Sequence, residues 1–306
     1  MREPNRPASR YTRVMATPDP TKPADPTQPS DPTKPADPIT SADDVDDLKA
    51  ADAQDLHRAV REEGQEELDR PVSSLFFSGL AAGMAIASSL VAEGALHAAL
   101  PDTSWRSIVV SLGYPIGFLV VILGRMQLFT ESTITAMLPL VTRPSGWALQ
   151  RTLRLWTIVL GANLLGTALA GAMIAAGLLG GSELRTAMIE VSVGITELSA
   201  SATFVNAIPA GFMIAILAWS LPNAREQSFL VILAITYVVA IGGFSHSIVG
   251  SVEAWLLLFT GKTDVVQTLF ELLLPAILGN LLGGAGLFAL LAHAQVRGEM
   301  NGRDES

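Results

Sequence analysis

Cysteine is absent from the 306 residues, which excludes disulfide scaffolds, thiolate metal sites and cysteine nucleophiles together. Positive charge is scarce as well. The 20 Lys and Arg against 29 Asp and Glu leave a formal charge of −9, and nothing in their placement suggests nucleic-acid binding. The charge is unevenly spread: residues 1–70 carry 10 basic and 16 acidic side chains, leaving 10 and 13 for the other 236. No cofactor or resident metal is expected from what remains.

Where charge is thin, apolar sequence is dense. From Leu75 onward apolar runs alternate with short polar clusters, and runs of about 20 apolar residues have the length of a helix crossing hydrocarbon. A soluble core absorbing such runs would show amphipathic stripes with charged outer faces, and these are missing. The predicted class is an all-α membrane protein.

Three regions follow. Residues 21–38 repeat Thr-Lys-Pro-Ala-Asp-Pro with small variations; this composition predicts an extended, solvated tail, either a tethering arm or an extension without a specific partner. It has no apolar core of the secretory-signal type. Residues 43–70 are charge-rich and predict a short surface helix, so 1–70 is read as an N-terminal cytoplasmic region. The membrane domain spans 71–294, and 295–306 form a short cytoplasmic tail.

Six spans are predicted, near 73–96, 107–141, 155–179, 204–221, 228–258 and 265–292, with residues 181–203 as a connection. Arg143, Arg151, Arg154, Arg225, Arg297 and Arg303 outweigh Arg106, Arg185 and Lys262 on the opposite loops. That bias places both termini in the cytoplasm of a multi-pass inner (plasma) membrane protein.

Two of the spans are interrupted. Span two breaks at Gly124-Arg125-Met126-Gln127-Leu128-Phe129-Thr130, and span five at Gly242-Gly243-Phe244-Ser245-His246-Ser247. Asn163-Leu164-Leu165-Gly166 recurs as Asn280-Leu281-Leu282-Gly283 at an offset of 117 (280 − 163). The same offset carries Thr130 onto Ser247. Matched breaks in two three-span halves signal inverted repeats with a site at their interface. His246 is the only histidine placed inside such a break, and an ionisable ring at that depth marks an ion or substrate path by default.

These motifs resemble those of the formate/nitrite transporter family over roughly Phe76 to Leu291. Leu128-Phe129-Thr130 is similar to the family's Leu-Phe-Thr loop, Gly243-Phe244-Ser245-His246-Ser247 to its Gly-Phe-Glu-His-Ser motif, and the two Asn-x-x-Gly elements also match. The resemblance implies an aquaporin-like protomer, a homopentamer with one pore per protomer, and passage of small monovalent anions or their neutral acids. It places the central histidine at His246, its loop partner at Thr130, and apolar constrictions at Leu128, Phe129, Ile214 and Val239.

A weak acid crosses an apolar constriction more readily neutral than ionised, and an imidazole with an ordinary pKa of about 6.5 can share a proton near neutral pH. His246 is therefore expected to donate a proton, or polarise a water, toward an arriving anion, with Thr130 orienting the ring. Simpler roles exist: His246 and Thr130 as helix caps, Leu128 and Phe129 as packing, Asn163 and Asn280 as braces between helices. Glu93, His97 and Trp105 read as interfacial residues.

Two departures from the family pattern bear on substrate. Ser245 stands where a glutamate usually precedes the histidine, and Asn206, Pro209 and Gly211 fill a region near the start of span four where basic and asparagine positions are common. A pore for small neutral solutes of the water or glycerol type is the alternative reading. An enzyme is not expected, because Ser245 and Ser247 beside His246 lack a third orienting group and attack geometry.

Overall fold

The computed structural model describes residues 52–303, and every regular element among them is helical. The proline repeat of residues 21–38 lies outside the described residues. Five helices are long and apolar enough to cross a membrane, at Val72–Ala99, Arg106–Leu123, Gly146–Ala175, Ala200–Asn223 and Gln267–Gly298, and two shorter apolar helices, Ser228–Ile241 and Ser247–Phe259, divide another crossing. Phe229, Leu230, Phe270 and Leu291 are among the large apolar side chains left on the outside, as a lipid-facing surface requires.

The first helix, α1 (Ala53–Asp69), is capped by Asp52, whose carboxylate accepts the Gln54 and Asp55 amides. It is more than the surface helix predicted from its charge. His57, Val60, Gly64 and Leu68 recur every three or four residues and are buried, so one face is apolar or small while the other is charged. That face docks on the bundle, where Val60 joins Ile134, Leu138, Ala215, Ala218 and Ala289 in one apolar cluster.

Span one divides at Ile86–Ala87 into α2 (Val72–Ala85) and α3 (Ser88–Ala99). A short α4 (Arg106–Val110) leads into α5 (Tyr114–Leu123); the chain then breaks and resumes as α6 (Phe129–Thr135) and α7 (Met137–Thr142). Next comes α8 (Gly146–Ala175). The predicted connection 181–203 instead contains α9 (Ser182–Val193), which packs on α3 and α12. The chain continues through α10 (Ala200–Ser220), α11 (Ser228–Ile241), a second break, and α12 (Ser247–Phe259). The last crossing alternates π-helical turns at Gln267–Leu273 and Leu282–Phe288 with α13 (Leu274–Leu281) and α14 (Ala289–Arg303).

The two halves pack alike, α2 against α8 and α10 against α13. Glycines permit the approach. A Cβ on Gly83 would sit 2.3 Å from the Asn163 carbonyl oxygen, and one on Gly211 would sit 2.2 Å from that of Asn280. Small residues at these crossings let backbones meet and bring the asparagines on α8 and α13 within reach of the breaks.

The docking of α1 carries a pH signature. His57 is 1% exposed, its Nε2 lies 3.2 Å from His293 Nδ1, and Trp219 stands edge-on to it. Burial, reinforced by His293 and Arg61, pushes its pKa down from 6.5 to about 4. The undocked ring therefore binds a proton that the docked ring refuses, and the stability contributed by docking falls as pH drops from 6.5 through about 4. Glu67 on the same helix, pushed up by burial, works in the opposite sense, so the His57 contribution is read as a difference. Thermal unfolding of the wild type should worsen relative to His57→Gln across that acid window; parallel pH profiles would contradict it.

Candidate functional site

The two breaks are built alike, residue for residue. Gly124, Arg125 and Met126 amides donate to the carbonyls of Val120, Ile122 and Val121, and Gly242, Gly243 and Phe244 amides donate to those of Val238, Ala240 and Val239. Arg125 at φ 54 matches Gly243 at φ 62. A left-handed residue ends each first half-helix and turns the chain back toward the axis. Glycine takes that conformation freely, whereas Arg125 bears a steric cost. Leu128 (φ −106, ψ 129) and His246 (φ −107, ψ 129) then cap the second half-helices in the same extended conformation.

The loops therefore correspond at an offset of 118 (246 − 128), so Leu128 is the counterpart of His246, and Phe129 that of Ser247. The expected pairing of Thr130 with Ser247, taken from the asparagine offset of 117, is off by one residue. The halves differ by one residue between loop and asparagine, which a uniform shift cannot represent.

One asparagine braces each break. Asn163 Oδ1 accepts the Phe129 amide at 2.9 Å, while Nδ2 donates to the carbonyls of Gly79 (2.8 Å) and Gln127 (3.0 Å). Asn280 Oδ1 accepts the Ser247 amide at 2.7 Å, and Nδ2 donates to Ala207 (2.8 Å) and Ser245 (3.0 Å). Both carboxamides are fully buried. Backbone groups left open by a break have no water to satisfy them inside a bilayer, and a carboxamide supplies the donor and acceptor in one group.

Across this frame His246 meets Thr130. Nε2 lies 2.9 Å from Thr130 Oγ1, and Nδ1 accepts the Val249 amide at 3.2 Å, so a neutral ring carries its hydrogen on Nε2 and donates it to the threonine. His246 thus caps its helix and faces the opposite loop at once. Thr130 is the second residue of α6, not its cap, and its hydroxyl is turned to the imidazole. Phe118, one apolar residue among many in span two and not expected at the site, stands edge-on to the ring at 5.1 Å.

The remaining residues fall around this contact. Leu128, Phe129, Ile214 and Val239 are at most 2% exposed and share an apolar cluster with Phe118. Asn206 Nδ2 donates to the Gly243 carbonyl at 2.5 Å and to Ser245 Oγ at 3.4 Å, bracing the second break from α10. A cavity of about 450 Å³ reaches Ser245, His246 and Ser247. Glu93, read above as interfacial, is instead 7% exposed and lines that cavity with Glu253 of α12 and Tyr114 of α5. Its sequence position near a span end masked this, because helical spacing does not reveal which face a kinked span turns inward.

The other loop is latched to α1. Gln127 Nε2 and Thr135 Oγ1 each donate to the Glu67 carboxylate at 2.5 Å, and Arg70 Nη1 donates to Gln127 Oε1 at 2.6 Å. The sequence reading placed Gln127 in this break but did not link it to Glu67 of α1.

A family model described as formate/nitrite transporter matches residues 54–294, a range that takes in α1. The chain is 35% identical over 251 residues to the inner membrane protein YfdC of Escherichia coli (strain K12), covering 82% of this chain and 81% of that one. It is 25% identical over 246 residues to the uncharacterized transporter YrhG of Bacillus subtilis (strain 168), covering 78% and 90%. Among solved structures it is similar to a pentameric formate channel with formate bound, at TM-score 0.64 and 19% identity over 74% of this chain and 97% of that one. A second, an FNT family ion channel, aligns at TM-score 0.62 and 20% identity over 78% and 96%.

Proposed function

The chain belongs to the formate/nitrite transporter family, and from that premise we propose that it conducts small monovalent anions or their neutral acids, with His246 assisting protonation. The observation that carries this reading is the 2.9 Å contact between His246 Nε2 and Thr130 Oγ1, which joins the two broken helices among apolar residues. A formate-sized solute displacing Thr130 from Nε2 would find a hydrogen-bond donor at the junction of the two breaks.

Proton hand-over through the ring has a structural condition. Nε2 can release its proton outright only if Nδ1 takes up another, and Nδ1 is engaged by the Val249 amide. Transfer is therefore coupled to loosening of the α12 cap, while simple hydrogen-bond donation to the solute is not. The leaky alternative, a pore for neutral solutes, uses only the donation.

The bound formate and pentameric assembly of the similar channel support extending both to this chain, the inner-membrane relative supports a cytoplasmic-membrane location, and the arginine bias of the loops supports placing both termini inside. Substrate is settled by uptake of formate, nitrite, acetate, lactate and hydrosulfide into proteoliposomes at two pH values. Formate or nitrite uptake that rises at the lower pH and changes internal pH is the expected result. Swelling with glycerol, without any pH dependence or acid uptake, would overturn it.

A further inference from the structure

The cavity that reaches His246 holds polar groups that the histidine–threonine contact leaves unused. Glu93 enters it from α3 and Glu253 from α12, at 7% and 9% exposure. Neither carboxylate makes an ion pair among the described residues, and no Lys or Arg lines the cavity. Glu93 Oε2, Tyr114 Oη, Thr203 Oγ1 and Ser247 Oγ are buried without a hydrogen-bond partner, four of the eight such side-chain atoms among the described residues. All four residues line this one cavity.

Leaving a buried polar atom unpaired is costly, so orphans gathered around a single space point to an occupant that pairs them. The chemistry of the lining restricts that occupant. A carboxyl oxygen accepts hydrogen bonds whether or not the group is ionised, and no cation in the lining offsets the charge of a buried anion.

We propose that Glu93 and Glu253, with Tyr114 and Ser247, form a binding subsite for a small solute that donates hydrogen bonds and carries no negative charge. Two sources share that chemistry: a neutral donor such as a protonated weak acid or amide, and a donor cation of the ammonium type. The subsite rests on the permeation reading only in lying on the solute's way to His246. On that way a weak acid is met as the acid and not as its anion, and the basic capture site expected of an anion pathway is replaced by an acceptor site.

Infrared difference spectra of the full chain in proteoliposomes test this with three probes. Formamide is a neutral donor, methylammonium a donor cation, and nitrate an anion without a donor. The subsite requires that formamide or methylammonium shift the glutamate carboxyl bands, that nitrate leave them in place, and that E93Q/E253Q abolish the shift. A response to formamide alone assigns the neutral source, and one to methylammonium alone the cationic source. E93Q by itself, should the double variant fail to fold, raises the half-saturating donor concentration about ten-fold or more. No shift with either donor, a shift with nitrate, or a half-saturating donor concentration that E93Q leaves unchanged overturns the proposal. Formate uptake by the same vesicles separates the two readings: a band shift without uptake sinks permeation and keeps the subsite, and uptake without a band shift does the reverse.

Discussion

Replacing His246 by Asn should lower weak-acid uptake about 100-fold or more and flatten its dependence on pH, with the protein still folded and of unchanged oligomeric size. The magnitude is that of losing a positioned proton donor. Asparagine is chosen for what it keeps. Its carboxamide oxygen can accept the Val249 amide, now held by Nδ1 at 3.2 Å, because asparagine is a good helix cap. Its amide ends about one bond short of the Nε2 position, so the 2.9 Å contact with Thr130 is given up together with the proton. What it cannot do is take up and release a proton near neutral pH. His246→Ala removes both the donor and the cap, so comparing the two variants separates proton handling from helix stability. Uptake and pH profile of His246→Asn indistinguishable from the wild type would leave the ring a cap and nothing more.

Asn280→Leu should destabilise the protein by about 2–5 kcal/mol, read as a lowered thermal unfolding midpoint in detergent with loss of a single oligomeric species. Leucine fills similar space and offers no polar atom. The substitution strands the Ser247 amide and the carbonyls of Ala207 and Ser245, held at 2.7, 2.8 and 3.0 Å. Orphaned backbone groups cost about 1–3 kcal/mol each in soluble proteins, and side-chain hydrogen bonds within bilayers average about 0.6 kcal/mol, which brackets the sum. Asn163→Leu should behave similarly, since it strands the Phe129 amide and the carbonyls of Gly79 and Gln127. An unchanged midpoint in both variants would show that the breaks hold without their braces.

Much of this arrangement was legible in one dimension because a bilayer enforces it. Apolar runs of spanning length, glycine at the second break, and the Asn-Leu-Leu-Gly repeat each report a constraint that acts within a few residues. His246 stood out for the same reason: an ionisable side chain at that depth needs a cause. The register of the repeat was less legible. Identity at Asn163 and Asn280 suggested an offset of 117, whereas the loops align at 118, so the sequence matched Thr130 with Ser247 where the fold matches Leu128 with His246. Arg125 and Gly243 share a left-handed backbone without sharing a residue type, which no comparison of letters detects.

The sequence by itself determined the class, the count of crossings, the two breaks and the candidate histidine, because hydrophobic length and broken helical pattern are local quantities. The family resemblance paired His246 with Thr130 in advance, but only the tertiary structure decided which other groups meet: Glu67 of the amphipathic helix with Gln127 and Thr135, and Glu93 with Glu253 around one cavity. Those pairings depend on the rotation of each helix about its axis. Packing against neighbours sets that rotation, through crossings as close as Gly83 on Asn163 and Gly211 on Asn280, and in spans apolar all round no amphipathic stripe announces it.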